Sequence, residues 1–290
     1  MKLKAWIEAM RLRTLPVSVA GVVAATGYCV VDGTFNPVPA VLCLVFAVLC
    51  QIASNFANEY FDYKAGRDRT GREGPRRGVT EGDITPTAML RATYTTLCLA
   101  ALAGLTLTYW GGAWLIAVGV GVAIGVFAYS AGPFPLSTHC LGEAGVIVFF
   151  GLVPVNFTYY VQALHWSVPV LLGSLSIGLM GANVLIVNNH RDRDDDRDVG
   201  KHTLATAMPR WAMPVLYAAN AICACVLMLG MWNQFAYYWA VVPALYTACS
   251  LGIAFRLMKY NGRRLNPMLG MTAMLMFAYS LCFLIAAVWR

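Results

Sequence analysis

Residues 38–62 read VPAVLCLVFAVLCQIASNFANEYFD, an apolar run that passes with no turn signal into Asn55, Asn58, Glu59 and Asp62. About 20 apolar residues suffice to cross the hydrocarbon of a bilayer as a helix. Asn58 and Asp62 are spaced i and i+4. On a helix that spacing puts both side-chain oxygens on one face, about 6 Å apart along the axis. A loop rich in both charge signs is ordinarily a solvated helix end. Here, however, the polar groups start while the chain is still in a membrane helix, where they are expensive, and that favours a function.

Outward from this stretch the pattern repeats. Apolar runs of spanning length occupy residues 15–31, 38–60, 88–109, 113–131, 141–164, 168–189, 211–231, 235–255 and 265–289. With 59% hydrophobic and 12% charged residues in a chain of 290, no polar stretch is long enough for a separate soluble domain. The expected fold is therefore all-α and polytopic, nine transmembrane helices in one domain of residues 1–290. The first run lacks a cleavage site and reads as a span, not a removable leader. The nine Cys show no CxxC pair and read as buried small apolar residues.

Threading the spans back and forth places every one of the 21 Lys and Arg except Arg290 on one face. By the positive-inside rule that face is cytoplasmic, with the N-terminus inside, the C-terminus outside and the chain integral to the inner membrane. The net charge of +7 is thereby accounted for by topology, and no nucleic-acid partner is expected. All 14 acids except Asp32 lie on the same face, a bias that topology does not require. Chemistry is therefore expected at the cytoplasmic mouth. Trp110, Trp114, Trp166, Trp232, Trp239 and Trp289 fall near outer span ends and read as headgroup anchors.

The long polar breaks are residues 61–87, 132–140 and 190–210. A constant shift of 130 residues superposes Asn58 on Asn188, Asp62 on Asp192, Arg67 on Arg197 and Asp68 on Asp198. This reads as two pseudo-repeats, about residues 1–140 and 141–290. In the second, Asn188, Asp192 and Asp196 form one stripe over two helical turns. Two such stripes of hard oxygen donors suit Mg²⁺ ions that share their remaining positions with a diphosphate. Lys64, Arg67, Arg72, Arg76 and Arg77 follow the first cluster; Arg191, Arg193 and Lys201 surround or follow the second. Such bases would add directional bonds to a polyanionic leaving group. Aromatic residues such as Phe149, Phe150, Phe157, Tyr159 and Tyr160 would shelter an allylic cation.

Asn58-Glu59-x-x-Asp62 with Asp68, followed by Asp192-x-x-x-Asp196, resembles the UbiA superfamily of intramembrane aromatic prenyltransferases. Further strings resemble its branch acting on 1,4-dihydroxy-2-naphthoate in menaquinone synthesis: Arg11-x-Arg13-Thr14-Leu15-Pro16, Gly132-Pro133-x-Pro135-Leu136, Leu141-Gly142-Glu143, and Asn188-Asn189-x-Arg191-Asp192 through Gly200-Lys201-x-Thr203-Leu204. The likeness covers residues 5–205. It implies nine helices around a central cavity capped by cytoplasmic loops. It also implies that Asn58, Asp62, Asp68, Asp192 and Asp196 hold Mg²⁺-diphosphate, while Arg11, Arg191 and Lys201 contact phosphate oxygens, with Asn58 in the same substrate site. Catalysis would fall to Asp62, Asp192 and Lys201. The partners implied are a polyprenyl diphosphate, an aromatic acid acceptor and the lipid bilayer. For a naphthoate acceptor the prenyl group would replace the carboxylate, giving demethylmenaquinol, with Arg13 and Arg77 as candidates to meet that carboxylate.

Three positions depart from the superfamily pattern. Glu59 stands where relatives carry Asp, and its longer arm is expected to leave it outside the metal shell. Gly66 takes the place of a third acid, with Asp68 two residues on replacing it, as in the naphthoate branch. Cys140 replaces a frequent Gly and is expected to be neutral. The competing readings are transfer to 4-hydroxybenzoate or a related acid and, outside enzymes, a cation-coupled transporter.

Overall fold

The computed structural model describes every residue except Met1 and Arg72, and Lys2 by its backbone alone. Arg72, among the bases singled out above, lies outside the described residues. Among the described residues nine apolar helices run through the molecule: α2 (Leu15–Val31), α3 (Pro37–Lys64), α4 (Pro86–Gly111), α5 (Leu115–Ala128), a helix composed of α6 (Gly142–Val146) and α7 (Val153–Ala163), α8 (Val168–Arg191), α11 (Ala212–Trp232), α12 (Val241–Lys259) and α13 (Asn266–Val288). Eight are long enough to cross a membrane, and α5, at 14 residues, is shorter. The chain is an integral membrane protein. Around these lie α1 (Lys2–Met10) and the short α9 (Arg193–Asp198) and α10 (Leu204–Ala207) on the loop side.

Local sequence sets the helix starts. Asn36 accepts the Val38 N–H at 3.1 Å and Pro37 opens α3, while Thr85 accepts from Ala88 before Pro86 opens α4. A side-chain acceptor satisfies an orphan donor of the first turn, and Pro has no donor to waste there. Close packing is set by glycine. A Cβ on Gly151 would stand 2.4 Å from the Ser174 carbonyl and 2.5 Å from Gly178 Cα, so the α6–α7 rod lies against the backbone of α8. Between α6 and α7, residues Ile147–Leu152 form a π-helical segment. Pro154 offers no N–H to the carbonyl of Phe150, and the turn before it widens.

α13 packs on α2, where Phe283 meets Tyr28 with ring centroids 4.8 Å apart, so the last helix of the chain closes on the first long one. The apolar core runs from this contact through α8 and α11. Helix α1, too short and too charged to announce itself as a span, packs Ala5 and Ala9 against Phe56, Val79, Ile84 and Met89.

Two expectations need correction. Trp232 is buried, its indole N–H donating to Tyr279 Oη at 2.6 Å, so it is a core residue and not a headgroup anchor. Trp114, Trp166 and Trp289 are exposed as an anchor must be. All nine Cys are free thiols, but only Cys29, Cys43 and Cys225 are buried; Cys98, Cys223 and Cys249 lie on the outer surface of the helices.

Candidate functional site

Helix α3 continues past the apolar layer without a break, so Asn58 and Asp62 stay on one face. Asn58 Nδ2 donates to Asp62 Oδ2 at 3.0 Å and to Ser130 Oγ at 2.9 Å. Its Oδ1 accepts from Arg11 at 2.5 Å and Arg77 at 3.1 Å. Arg77, on the loop after α3, is buried among acids. Its guanidinium stands 3.3 Å from Asp68 and 4.0 Å from both Asp62 and Glu59, and Arg67 adds a contact of 3.5 Å to Asp62. Glu59 points away from the stripe, where its Oε1 accepts the Val79 N–H at 3.0 Å and holds the loop down.

The second stripe survives a helix break. Asp192 leaves the α-helical region at φ −88°, ψ 5°, yet the Asp192 N–H still reaches the Asn188 carbonyl at 3.0 Å and the Asp196 N–H that of Asp192 at 2.8 Å. Arg191 grips both oxygens of Asp192, Nε to Oδ1 at 2.7 Å and Nη2 to Oδ2 at 2.8 Å, and also binds Asn188 and Asn266. Such a forked pair is geometrically demanding and strong. Gly200, at φ +69°, turns the chain back so that the Lys201 ammonium lies 3.6 Å from Asp196. A side chain at that φ would be strained.

The loops bring the two stripes to one mouth. Arg69 bonds the Asp195 carbonyl and the Asp198 carboxylate, the Glu73 N–H donates to Asp195 Oδ2 at 3.0 Å, and the Cys140 N–H donates to the His202 carbonyl at 3.0 Å. Beneath this cap lies a polar cavity of about 590 Å³, lined among others by Arg11, Asn58, Arg77, Asn188, Arg191 and Lys201. Asp62, Asp68, Asp192 and Asp196 do not themselves line it, each being drawn onto a cation. Tyr129, at the end of α5, is within electrostatic reach of Arg11, Asp62, Glu143 and Asp196, so groups of both stripes bear on one hydroxyl. Arg11 itself sits at φ 52°, a left-handed conformation that costs a non-glycine residue about 1 kcal/mol or more.

Arg13 is exposed and lines the cavity, and Arg77 lines it too while its guanidinium bonds Asn58 and lies beside the acids. Cys140 was expected to be neutral in place of Gly, but its φ of 56° is the conformation that favours Gly. Burial, reinforced by the charge of Glu143, raises its thiol above the ordinary range. Of the aromatic residues expected to shelter a cation, Phe149, Phe150 and Phe157 line a second, apolar cavity of about 340 Å³. Tyr159 instead is buried against the opposite face, its hydroxyl donating to Asp32 at 2.6 Å. The apolar cavity runs along α5 from Tyr129 to Leu115 and includes Leu105, Ile116 and Val120 on the exposed helix surface. The two cavities share a wall of Gln51, Ser54, Tyr129, Val146 and Phe150.

The model of the UbiA prenyltransferase family matches residues 18–281. The chain belongs to this family. Its membership excludes the transporter reading and makes the protein a prenyltransferase. Among relatives of the UbiA family, the 1,4-dihydroxy-2-naphthoate octaprenyltransferase of Mycobacterium tuberculosis is 36% identical over 281 residues, 95% of this chain and 94% of that one. The enzyme of the same name from Escherichia coli is 38% identical over 214 residues, 71% and 68% of the two chains. Among solved UbiA folds, a homolog from Aeropyrum pernix superposes with a TM-score of 0.70 at 14% identity, covering 94% of this chain and 96% of that one. A homolog from Archaeoglobus fulgidus bound to DMAPP and Mg²⁺ gives 0.68 at 16% identity, with coverage of 97% and 99%.

Sequence reasoning assigned no role to Glu143 or Asn189, although both line the polar cavity and Asn189 donates to Glu143 at 2.9 Å. Each was visible only as a letter within a branch-like string.

Proposed function

We propose that the protein transfers a polyprenyl group from its diphosphate to 1,4-dihydroxy-2-naphthoate, with loss of carbon dioxide, giving demethylmenaquinol for menaquinone synthesis. The observation that carries this is the wall common to a cation-lined cavity and an apolar one, which suits a substrate with a polyanionic head and an isoprenoid tail. The naphthoate acceptor is supported by near full-length similarity to the mycobacterial enzyme.

The diphosphate is received by Arg11, Arg77, Arg191 and Lys201, whose N–H groups exchange carboxylate and amide partners for phosphate oxygens. Asn58, Asp62, Asp68, Asp192 and Asp196 are the groups to hold magnesium, with Asp62, Asp192 and Lys201 essential to the reaction. Among the described residues no three His, Cys, Asp or Glu form a ready cage. The donor chemistry nevertheless fits: these are hard oxygens, and Asp62 Oδ1 carries no hydrogen bond. Magnesium, when bound, supplies Lewis-acid polarisation of the leaving diphosphate. The apolar cavity keeps water from the developing allylic cation, and Phe149, Phe150 and Phe157 present ring faces to it. Arg13 is the residue to meet the acceptor carboxylate. Two pseudo-repeats, about residues 1–140 and 141–290, would account for the paired stripes. The concentration of Lys and Arg at this mouth supports a cytoplasmic active site in the inner membrane, with the N-terminus inside and the C-terminus outside.

The test is transfer by the purified protein in lipid, given polyprenyl diphosphate, Mg²⁺ and a panel of aromatic acids. Dihydroxynaphthoate is expected to be prenylated, and Asp62→Ala and Asp192→Ala to lose about 100-fold or more in kcat. Unimpaired variants would remove the roles given to both residues, and a clear preference for 4-hydroxybenzoate would reassign the acceptor.

A further inference from the structure

Among the described residues five acids are buried: Glu59, Asp62, Glu143, Asp192 and Asp196. Four have an Arg or Lys nitrogen within 4.0 Å. Glu143 has none. Its carboxylate accepts from the neutral amide of Asn189, 2.9 Å from Oε1, and from its own backbone N–H, and its surroundings include Tyr129, whose hydroxyl lies beside Gly142, and the thiol of Cys140. It is 6% exposed and lines the polar cavity. Burying a carboxylate without a counter-charge is costly, and an uncompensated acid at a membrane helix end facing a substrate cavity marks a function.

We propose, building on the prenyl-transfer reading, that Glu143 is the general base that takes the proton from the acceptor's ring hydroxyl. Its position suits the task. It lines the same polar cavity as the cations that receive diphosphate, and Tyr129, its neighbour, belongs to the wall shared with the tail cavity. With no described Lys or Arg nitrogen within 4.0 Å its basicity is not drawn off by a cation, and the Asn189 amide holds Oε1 in place at the cavity wall.

The step balances without an outside reagent. Glu143 takes the hydroxyl proton, and the oxygen's electron pair moves into the ring. The adjacent carboxylate-bearing carbon forms a bond to C1 of the prenyl group as the C1–O bond breaks, its pair leaving with diphosphate. The carbon–carboxylate bond then breaks, releasing carbon dioxide. Its pair restores the aromatic ring and returns charge to the oxygen, which takes the proton back from Glu143.

Glu143→Gln separates this role from a structural one, because Gln keeps an oxygen to accept from Asn189 but cannot take a proton. The assay is steady-state transfer to dihydroxynaphthoate between pH 6 and 10, alongside prenyl diphosphate binding and thermal melting. E143Q is expected to bind prenyl diphosphate within about twofold of wild type, to melt alike, and to lose about 100-fold or more in kcat. Its rate is also expected to rise about tenfold per pH unit as solvent ionises the hydroxyl, while the wild type stays flat. Should E143Q melt early, Glu143→Asp decides: it is expected to be slow yet flat with pH, and a steep profile in E143D overturns the assignment. Wild-type kcat in a well-folded E143Q, or a flat profile in it, overturns the role of Glu143 alone. A wild type that binds prenyl diphosphate but prenylates neither dihydroxynaphthoate nor hydroxybenzoate overturns the transfer reading, and this inference with it.

Discussion

Replacing Arg77 by Met tests whether the acids of the first stripe are held together by an internal cation. The guanidinium is 3.1 Å from Asn58 Oδ1, 3.3 Å from Asp68 and 4.0 Å from Asp62 and Glu59, and its side chain is 8% exposed. At an effective dielectric of about 20, a unit pair at 4 Å attracts by about 4 kcal/mol, most of it offset by the loss of hydration. The net cost of removing one partner from such a buried set is about 3–5 kcal/mol, because the remaining carboxylates repel one another. Asp62 retains Arg67 at 3.5 Å, which favours the lower figure. In a chain of this size that corresponds to a fall in melting temperature of roughly 10 °C. The assay is thermal unfolding in lipid nanodiscs with EDTA and then with Mg²⁺. R77M should melt roughly 10 °C below wild type in EDTA and should gain more than wild type from Mg²⁺, since no arginine has to be displaced. Equal melting in EDTA would refute the reasoning, and an equal gain from Mg²⁺ would show that Arg77 and the cation do not share the site.

Gly151→Ala forces a methyl to within 2.4 Å of the Ser174 carbonyl and should destabilise by about 3 kcal/mol, whereas Gly230→Ala meets nothing within 4 Å and should be neutral or slightly stabilising in the same melt. Cys140→Gly relieves a left-handed φ and should retain activity while gaining up to about 1 kcal/mol, read by melting and by turnover. The raised pKa of the Cys140 thiol keeps it protonated beyond the ordinary thiol value of 9.0, so its alkylation near pH 8, followed by peptide mass spectrometry, should be slow and should still be accelerating above pH 9. Tyr159→Phe removes a buried hydroxyl bonded to Asp32 and should cost about 1–2 kcal/mol of stability without changing kcat.

The ends of α3 and α8 were legible because a membrane helix can be told from its apolar run, and Asn58, Asp62, Asn188 and Asp192 interrupt that run at helical spacing. The spacing also placed Asn188 and Asp196 on one stripe despite the break at Asp192. Helix α1 was not legible, since nine residues with Lys2 and Lys4 carry no spanning signal and are ordered by packing on Phe56 and Met89. The π-helical turn leaves no periodic trace in six residues that are all apolar or Gly. Trp232 looked like its exposed counterparts because a span end says nothing about which way the ring turns. Charge pairing was hidden for a related reason: a sequence counts Arg77 and Arg191 as bases near acids but does not show that they close on them. Glu143 depends on an amide 46 residues away, a distance only the fold removes.

The shared wall of Gln51, Ser54, Tyr129, Val146 and Phe150 has a consequence for the direction of turnover. Once the bond between head and tail is cut, the fragments belong to different phases, the freed diphosphate to the cell's water and the alkylated ring to the lipid. Reversal requires both, together with the released carbon dioxide, to arrive at one point on the boundary between those phases. Partitioning thus acts as a ratchet, drawing flux toward the lipid-soluble product before any later enzyme consumes it.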